Sequence, residues 1–269
     1  MKKIFSLLLA MTMCLNLTAC DGNTLGKDGN GEQNGKDDLN YVRDKGILVV
    51  GITEFAPMDY QDAEGNWIGF DADMATAFAD SLGVTVEFRI IAWDDKVNLL
   101  NDKTIDVVWN GMTLTDEVRE NMGISNPYFN NAQVVVVRAD DADRYQTVES
   151  LSDAVCAIEP GAAQDEAIAH GLSYVEVESQ STALQNVSDG IYDAAVIDFL
   201  MAITTIGEGT AYEDLTHTVS LSSEEYVVGF RKGSDLVAEL NGFFAANYAG
   251  GTMQSVARKY GISAFLLAQ

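Results

Sequence analysis

Basic residues are scarce in this sequence: 16 Lys and Arg stand against 41 Asp and Glu, for a net charge of −25. Nucleic acids and anionic lipid headgroups both demand clustered cations, so neither is a partner. Histidine is scarcer still, with only His170 and His217. His170 closes a surface helix, where a cation suits the helix dipole, and His217 lies in a polar stretch. No Cys/His metal spacing, nucleophile elbow or glycine-rich phosphate loop occurs, which predicts no metal, no cofactor and no catalytic residue. Carboxylate-only acid chemistry stays open. Prolines number three, and after the first twenty residues no apolar run approaches the roughly 20 residues a transmembrane helix needs.

Three cysteines remain to be placed. Lys2 and Lys3 precede an apolar run from Ile4 to about Leu15, too short to span a bilayer, which reads as a signal peptide. Leu17-Thr18-Ala19-Cys20 then matches a bacterial lipobox, with Cys20 as the lipidated residue; the alternative is an ordinary secretory cleavage near Ala19. Residues 1–20 carry Cys14 away with the leader and contain two lysines and no acid, so the charge moves from −25 to −27. Cys156 is then left without a disulfide partner, and in the strand-like Ala-Val-Cys-Ala-Ile it reads as a small buried hydrophobe.

Residues 21–40 are rich in Gly, Asn and Asp and offer almost nothing to bury, so they read as a flexible tether spanning about 25 Å. From Tyr41 onward short β-branched runs alternate with amphipathic helical stretches, the pattern of an α/β fold with largely parallel sheets. Met74, Phe78 and Leu82 fall four apart on a helix that Gly83 stops. A four-valine run, Val134–Val137, opens a second set of strands and helices, and no linker separates the two sets. This predicts two α/β lobes joined by two crossing strands: residues 41–136 plus 230–269 form lobe 1 and residues 137–229 form lobe 2.

Six pieces in order carry a resemblance over residues 41–262. They are Gly51…Ala56-Pro57, Gly65-Asn-Trp-Ile-Gly-Phe-Asp-Ala-Asp73, Ile105-Asp106, Gly111-Met-Thr113-Leu-Thr115, Ser125-Asn-Pro127-Tyr128 and Asp193-Ala-Ala-Val-Ile-Asp198. The series resembles the polar amino acid binding proteins, solute-binding protein family 3. The resemblance implies a type II periplasmic-binding-protein fold that encloses a small amino-acid-like or amine-bearing solute between its lobes. Together with the lipobox at Cys20 it predicts an extracytoplasmic, lipid-anchored protein, expected to be a monomer, that hands the solute to ABC permease subunits. Two-lobed binders also serve sensory receptors, the second role the sequence leaves open, and dehydratases share the fold.

Physical chemistry and the resemblance together select candidate ligand-binding residues. A cleft that dehydrates a zwitterion must supply a carboxylate for the ammonium and donors for the carboxylate. Asp198 follows the strand-like Asp193–Ile197 at the end where open α/β sheets place ligand groups, and it matches the family's ammonium-binding acid. The alternative role, which can coexist with it, is N-cap of the Phe199 helix. Asn110, Gly111 and Thr113 match the ligand-holding segment, with a tight turn as the alternative role of Gly111. Phe55 and Trp93 either line the cleft or belong to the core of lobe 1. Ala163 and Gln164 match a strand-to-helix loop that presents donors to an anion, or a plain capped turn.

One departure from the family follows Thr115. The family's Thr-x-x-Arg places a bidentate carboxylate clamp where this sequence has Val118. Arg119, one residue on, points about 100° away around a helix. It is either a solvated surface residue or, if the helix start shifts, the clamp itself.

Overall fold

The computed structural model describes residues 36–269, so Cys20 and the signal peptide lie outside the described residues. The chain opens with α1 (Asp38–Lys45), β1 (Ile47–Ile52), the short hairpin β2 (Tyr60–Gln61) and β3 (Trp67–Ile68), α2 (Phe70–Leu82) and β4 (Thr85–Ile90). A tight turn at Trp93–Asp95 leads into α3 (Lys96–Asn101), followed by β5 (Val107–Thr113), α4 (Asp116–Asn121), β6 (Met122–Ile124) and β7 (Phe129–Asn131). Lobe 2 runs β8 (Gln133–Arg138), β9 (Val155–Ile158), α5 (Ala162–Ala169), β10 (Ser173–Glu176), α6 (Gln180–Ser188), β11 (Ala194–Asp198), α7 (Phe199–Thr205) and β12 (Leu215–Ser220). The chain then returns to lobe 1 as β13 (Glu224–Arg231), α8 (Leu236–Ala249) and α9 (Thr252–Lys259).

Each lobe is built on one twisted sheet, in strand order β4-β1-β5-β13-β6 with β7 beside β13, and β10-β9-β11-β8-β12. In lobe 1, β1, β4 and β5 are parallel, and β13, arriving from lobe 2, inserts antiparallel beside β5. Lobe 2 mirrors this: β9, β10 and β11 are parallel, and β8, arriving from lobe 1, lies antiparallel beside β11. The two sheets therefore exchange a strand, and the chain crosses between lobes at Ala132 and again at residues 221–223. Both faces of each sheet are covered by apolar side chains, as parallel sheets require.

Strand pairing places the exchange earlier in β8 and β13 than the expected boundaries after residues 136 and 229. Val134–Val136 pair within the lobe 2 sheet and Glu224–Gly229 within that of lobe 1. A run of β-branched residues marks a buried strand but carries no sign of which sheet receives it.

The stretch read as tether also ends sooner, because α1 begins at Asp38. That side chain is buried, and both its oxygens accept from Nε of the fully buried Arg231, at 3.0 and 2.9 Å. The same guanidinium donates to the carbonyls of Leu100 and Ile105. Removing one partner of a buried ion pair costs about 3–5 kcal/mol, so a soluble form of the protein has to begin before Asp38.

β12 has no counterpart in the sequence reading. Its residues Leu-Thr-His-Thr-Val-Ser are mostly polar, and they form an edge strand on β8 with His217 exposed. Edge strands tolerate polar residues, which removes the apolar signal that marks central ones.

Candidate functional site

A cavity of about 420 Å³ lies between the lobes, within the range of roughly 300–1,000 Å³ typical of small-molecule sites. Lobe 1 contributes the ends of β1 and β5, the Trp93 turn and the first turns of α3 and α4; lobe 2 contributes the loop into α5, the start of α6 and Asp198. Seven carboxylates line it against a single cation, Lys96. Such a wall favours a positively charged occupant and repels an anion.

Asp198 is the best-held of the candidates. It ends β11 opposite Gln133 of β8, is only 5% exposed, and makes no side-chain cap to α7. That capping is done by Asn131, whose Oδ1 accepts from the backbone N–H of Leu200 at 3.2 Å. The Asp198 carboxylate instead accepts from four neutral side chains: Asn131, Gln133 at 3.1 Å, Tyr226 at 2.8 Å and Gln180. Gln180 also binds back, its Oε1 accepting from the Asp198 amide at 2.9 Å. Burial, reinforced by the negative charge of Glu224, pushes the Asp198 carboxyl up to about 8, against the hydrogen bonds from Gln180 and Tyr226. Four dipoles fix the carboxyl in place, and it keeps its proton near neutral pH for want of a cationic partner. That partner is the group a ligand would bring.

Glu224 sits on the returning strand and shares two of these donors. Its Oε1 accepts from Asn131 at 2.6 Å, Gln133 at 2.8 Å and the Thr113 hydroxyl at 2.8 Å. Both crossing segments and both lobes thus meet in one polar cluster, with Thr113 and Asp198 at its cavity side. Glu159, also on the cavity wall, has an oxygen without a hydrogen-bond partner, and burial lifts its carboxyl to about 7.

Phe55 and Trp93 both line the cavity. Phe55 also packs edge-on against Tyr226, with ring centroids 6.3 Å apart, so its core and lining roles coexist. Trp93 lies against Gly161 of the other lobe, where an added Cβ would stand 3.4 Å from its indole nitrogen.

Asn110 and Gly111 border the cavity, yet their polar groups are already committed. The Asn110 amide accepts from the N–H and hydroxyl of Thr53 and donates to the Thr53 carbonyl and to Asp59. The Gly111 N–H donates to buried Asp71 at 2.6 Å, which also accepts from Tyr128 at 2.7 Å. Gly111 takes φ +55, and a Cβ there would fall 2.4 Å from the Phe55 ring. These two residues shape the cavity floor rather than donate side-chain or amide hydrogens to a ligand.

Two candidates are displaced. Ala163 is 5% exposed and packs in the lobe 2 core with Val135 and Ile158, while its neighbour Ala162 lines the cavity. Adjacent helical positions face about 100° apart, and the resemblance alone does not choose between them. Arg119 is exposed and lines a separate opening beside the cavity. The Thr115 hydroxyl accepts from the Val118 amide and pins the start of α4, so the helix does not shift. Val118 is 2% exposed on the cavity wall, and the clamp position is therefore apolar. Gln164 lines the cavity, with its amide donated to Glu176 at 2.7 Å. Cys156 is fully buried and its thiol is pushed up to about 11, which makes it an inert core residue.

Lys96, Glu159, Gln180, Asn131, Gln133, Glu224 and Tyr226 were not singled out by sequence reasoning. A signal existed for Lys96: it lies four residues before buried Leu100, placing a charge on the buried face of α3.

This architecture, two sheets that exchange strands around a polar cavity, is that of a two-lobed solute binder of the type II periplasmic kind. Residues 48–263 match the bacterial extracellular solute-binding proteins, family 3, and the chain belongs to that family. Among curated relatives it is 27% identical to the L-cystine-binding protein TcyJ of Escherichia coli, over 82% of this chain and 85% of that protein. A mutant of ArgBP from T. maritima superposes with a TM-score of 0.78 at 30% identity, covering 83% of this chain and 99% of the other. The arginine-bound truncated form of ArgBP reaches 0.69 at 31% identity, over 82% and 99%. Cyclohexadienyl dehydratase of Pseudomonas aeruginosa is 24% identical over 61% of this chain and 63% of its own length.

Proposed function

We propose that this solute-binding protein captures a cationic amino acid or a closely related amine between its lobes and delivers it to the permease of an ABC importer. The observation that carries this reading is Asp198, a buried carboxylate with four neutral donors and no counter-charge, in a cavity where seven carboxylates face one lysine. The likeness to arginine-bound ArgBP supports a cationic solute, and the likeness to TcyJ supports an amino acid. A thermal-shift panel tests it. L-arginine, L-lysine, ornithine and polyamines are expected to raise the melting temperature, while glutamate, aspartate and sugars leave it in place. Stabilisation by an acidic amino acid alone would overturn the reading.

A second reading draws on one observation: the partly buried Glu159, its carboxyl raised to about 7 by burial and so partly protonated near neutral pH, offers an acid for eliminating water from a bound substrate. The dehydratase relative matches a smaller share of the chain than TcyJ does. Turnover of a cyclohexadienyl acid, followed by absorbance, distinguishes the two readings. The binder reading expects none.

Location follows from Cys20, which we read as the lipid-bearing residue that tethers the folded body outside the cytoplasmic membrane. In fractionated cells, Cys20→Ser is expected to leave the washed membranes. Its firm retention there would contradict the lipid anchor.

A further inference from the structure

An acidic cavity accounts for the cationic groups of an amino acid but leaves its carboxylate without the family's charged clamp. Val118 occupies the clamp position and Ala162 carries no hydroxyl. We propose that Lys96 is the carboxylate receptor of this cavity, replacing the missing arginine from a different helix. The inference rests on the amino-acid reading above.

Lys96 is only 4% exposed, yet it lines the cavity and is the sole cation there. Its ammonium lies 5.1 Å from the centroid of the Trp93 ring, which flanks it without offering a hydrogen-bond acceptor. The nearest carboxylate, Glu117 Oε2, is 3.7 Å away, beyond hydrogen-bonding distance. Among the described residues no acceptor lies within hydrogen-bonding distance of this ammonium, which opens on the cavity, so an entering acceptor meets an available charged donor. Glu117 is 56% exposed, and ion pairs with so solvated a partner contribute little, so a ligand carboxylate is able to displace it. Lys96 occupies the first turn of α3, where its buried stem packs on the face that carries Leu100. That packing fixes the ammonium at the lobe 1 wall, beside Trp93 and Val118, and leaves the carboxylate-rich remainder of the cavity to the cationic groups of the solute. A lysine provides a point charge rather than a fork, so the site tolerates several carboxylate orientations.

L-arginine and agmatine, which differ only in the carboxylate, test this by calorimetric titration of the wild type, Lys96→Met, Lys96→Gln and Arg119→Ala. The wild type is expected to prefer arginine by roughly 10- to 100-fold, the usual contribution of a hydrogen-bonded charged group. Both Lys96 variants are expected to lose that preference through weaker arginine binding, with agmatine unchanged or tighter because an opposing cation has gone. Arg119→Ala should preserve it. Equal weakening of both ligands, or an arginine preference that survives both Lys96 substitutions, would overturn the role of Lys96 while leaving the cationic reading intact. A wild type that binds neither ligand would sink the cationic reading itself, and the inference with it.

Discussion

Asp198→Ala is expected to weaken the cognate solute by roughly 30-fold to several thousand-fold. Truncating one side of a buried charge pair commonly costs about 2–5 kcal/mol, much of it from leaving the other charge unpaired. Here the unpaired charge would be the ligand's ammonium or guanidinium, held in a closed cavity. The alanine also strips an acceptor from Asn131, Gln133, Gln180 and Tyr226, so a general loss of stability must be separated from a loss of charge. Asp198→Asn makes that separation, since it keeps the shape and some hydrogen bonding while removing the charge. Its melting temperature at pH 8 is expected to match or exceed the wild type, because the wild-type carboxylate is desolvated without a cation. Its calorimetric affinity should fall nearly as far as that of the alanine variant. Binding retained within twofold in the asparagine variant would reduce Asp198 to a structural residue.

The second large effect is on pH. Burial, then the charge of Glu224, holds the Asp198 carboxyl at about 8, and burial holds Glu159 and Asp71 at about 7, all above the ordinary carboxylate range. An acid whose pKa is raised on folding contributes stability that is complete below its unfolded value and is lost as pH rises through the folded value. The empty protein is therefore expected to be most stable near pH 4–5 and to soften steadily toward pH 8. A cationic ligand reverses the preference at Asp198, because it binds the ionised carboxylate and expels the proton. Affinity should climb by up to about tenfold per pH unit below pH 8 and level off above it. Titrations in two buffers of different ionisation enthalpy would report the released proton directly. An affinity flat between pH 6 and pH 8 would mean that Asp198 is already ionised in the empty protein or does not meet the charge of the ligand.

The parts of this molecule legible in its sequence are those in which neighbouring residues share one job. Met74, Phe78 and Leu82 announce α2 because all three face the same core, and the strand before Asp198 is a continuous apolar run because both its faces are buried. Asp198 itself was legible for a topological reason: a polar residue at the C-terminal end of a central strand has a cavity in front of it. Its partners were not. Asn131 and Gln133 flank one crossing, Glu224 and Tyr226 begin the other, and they converge only because the lobes exchange strands. Nothing local in Asn-Asn-Ala-Gln or Glu-Glu-Tyr marks that convergence. Ala162 displaces Ala163 because a single helical step turns a side chain from cavity to core, and the same step, already visible in the spacing after Thr115, sets exposed Arg119 apart from Val118. Asp38 escaped notice for the opposite reason: its surroundings in sequence are polar, but its partner Arg231 lies 193 residues away.

Mass spectrometry of the small molecule released when protein purified from its native membranes is denatured tests the central claim most directly. The account predicts an amino acid or amine carrying net positive charge at pH 7, recovered from the wild type and depleted from Asp198→Asn. Recovery of an anionic or uncharged solute, present equally in both proteins, would contradict it.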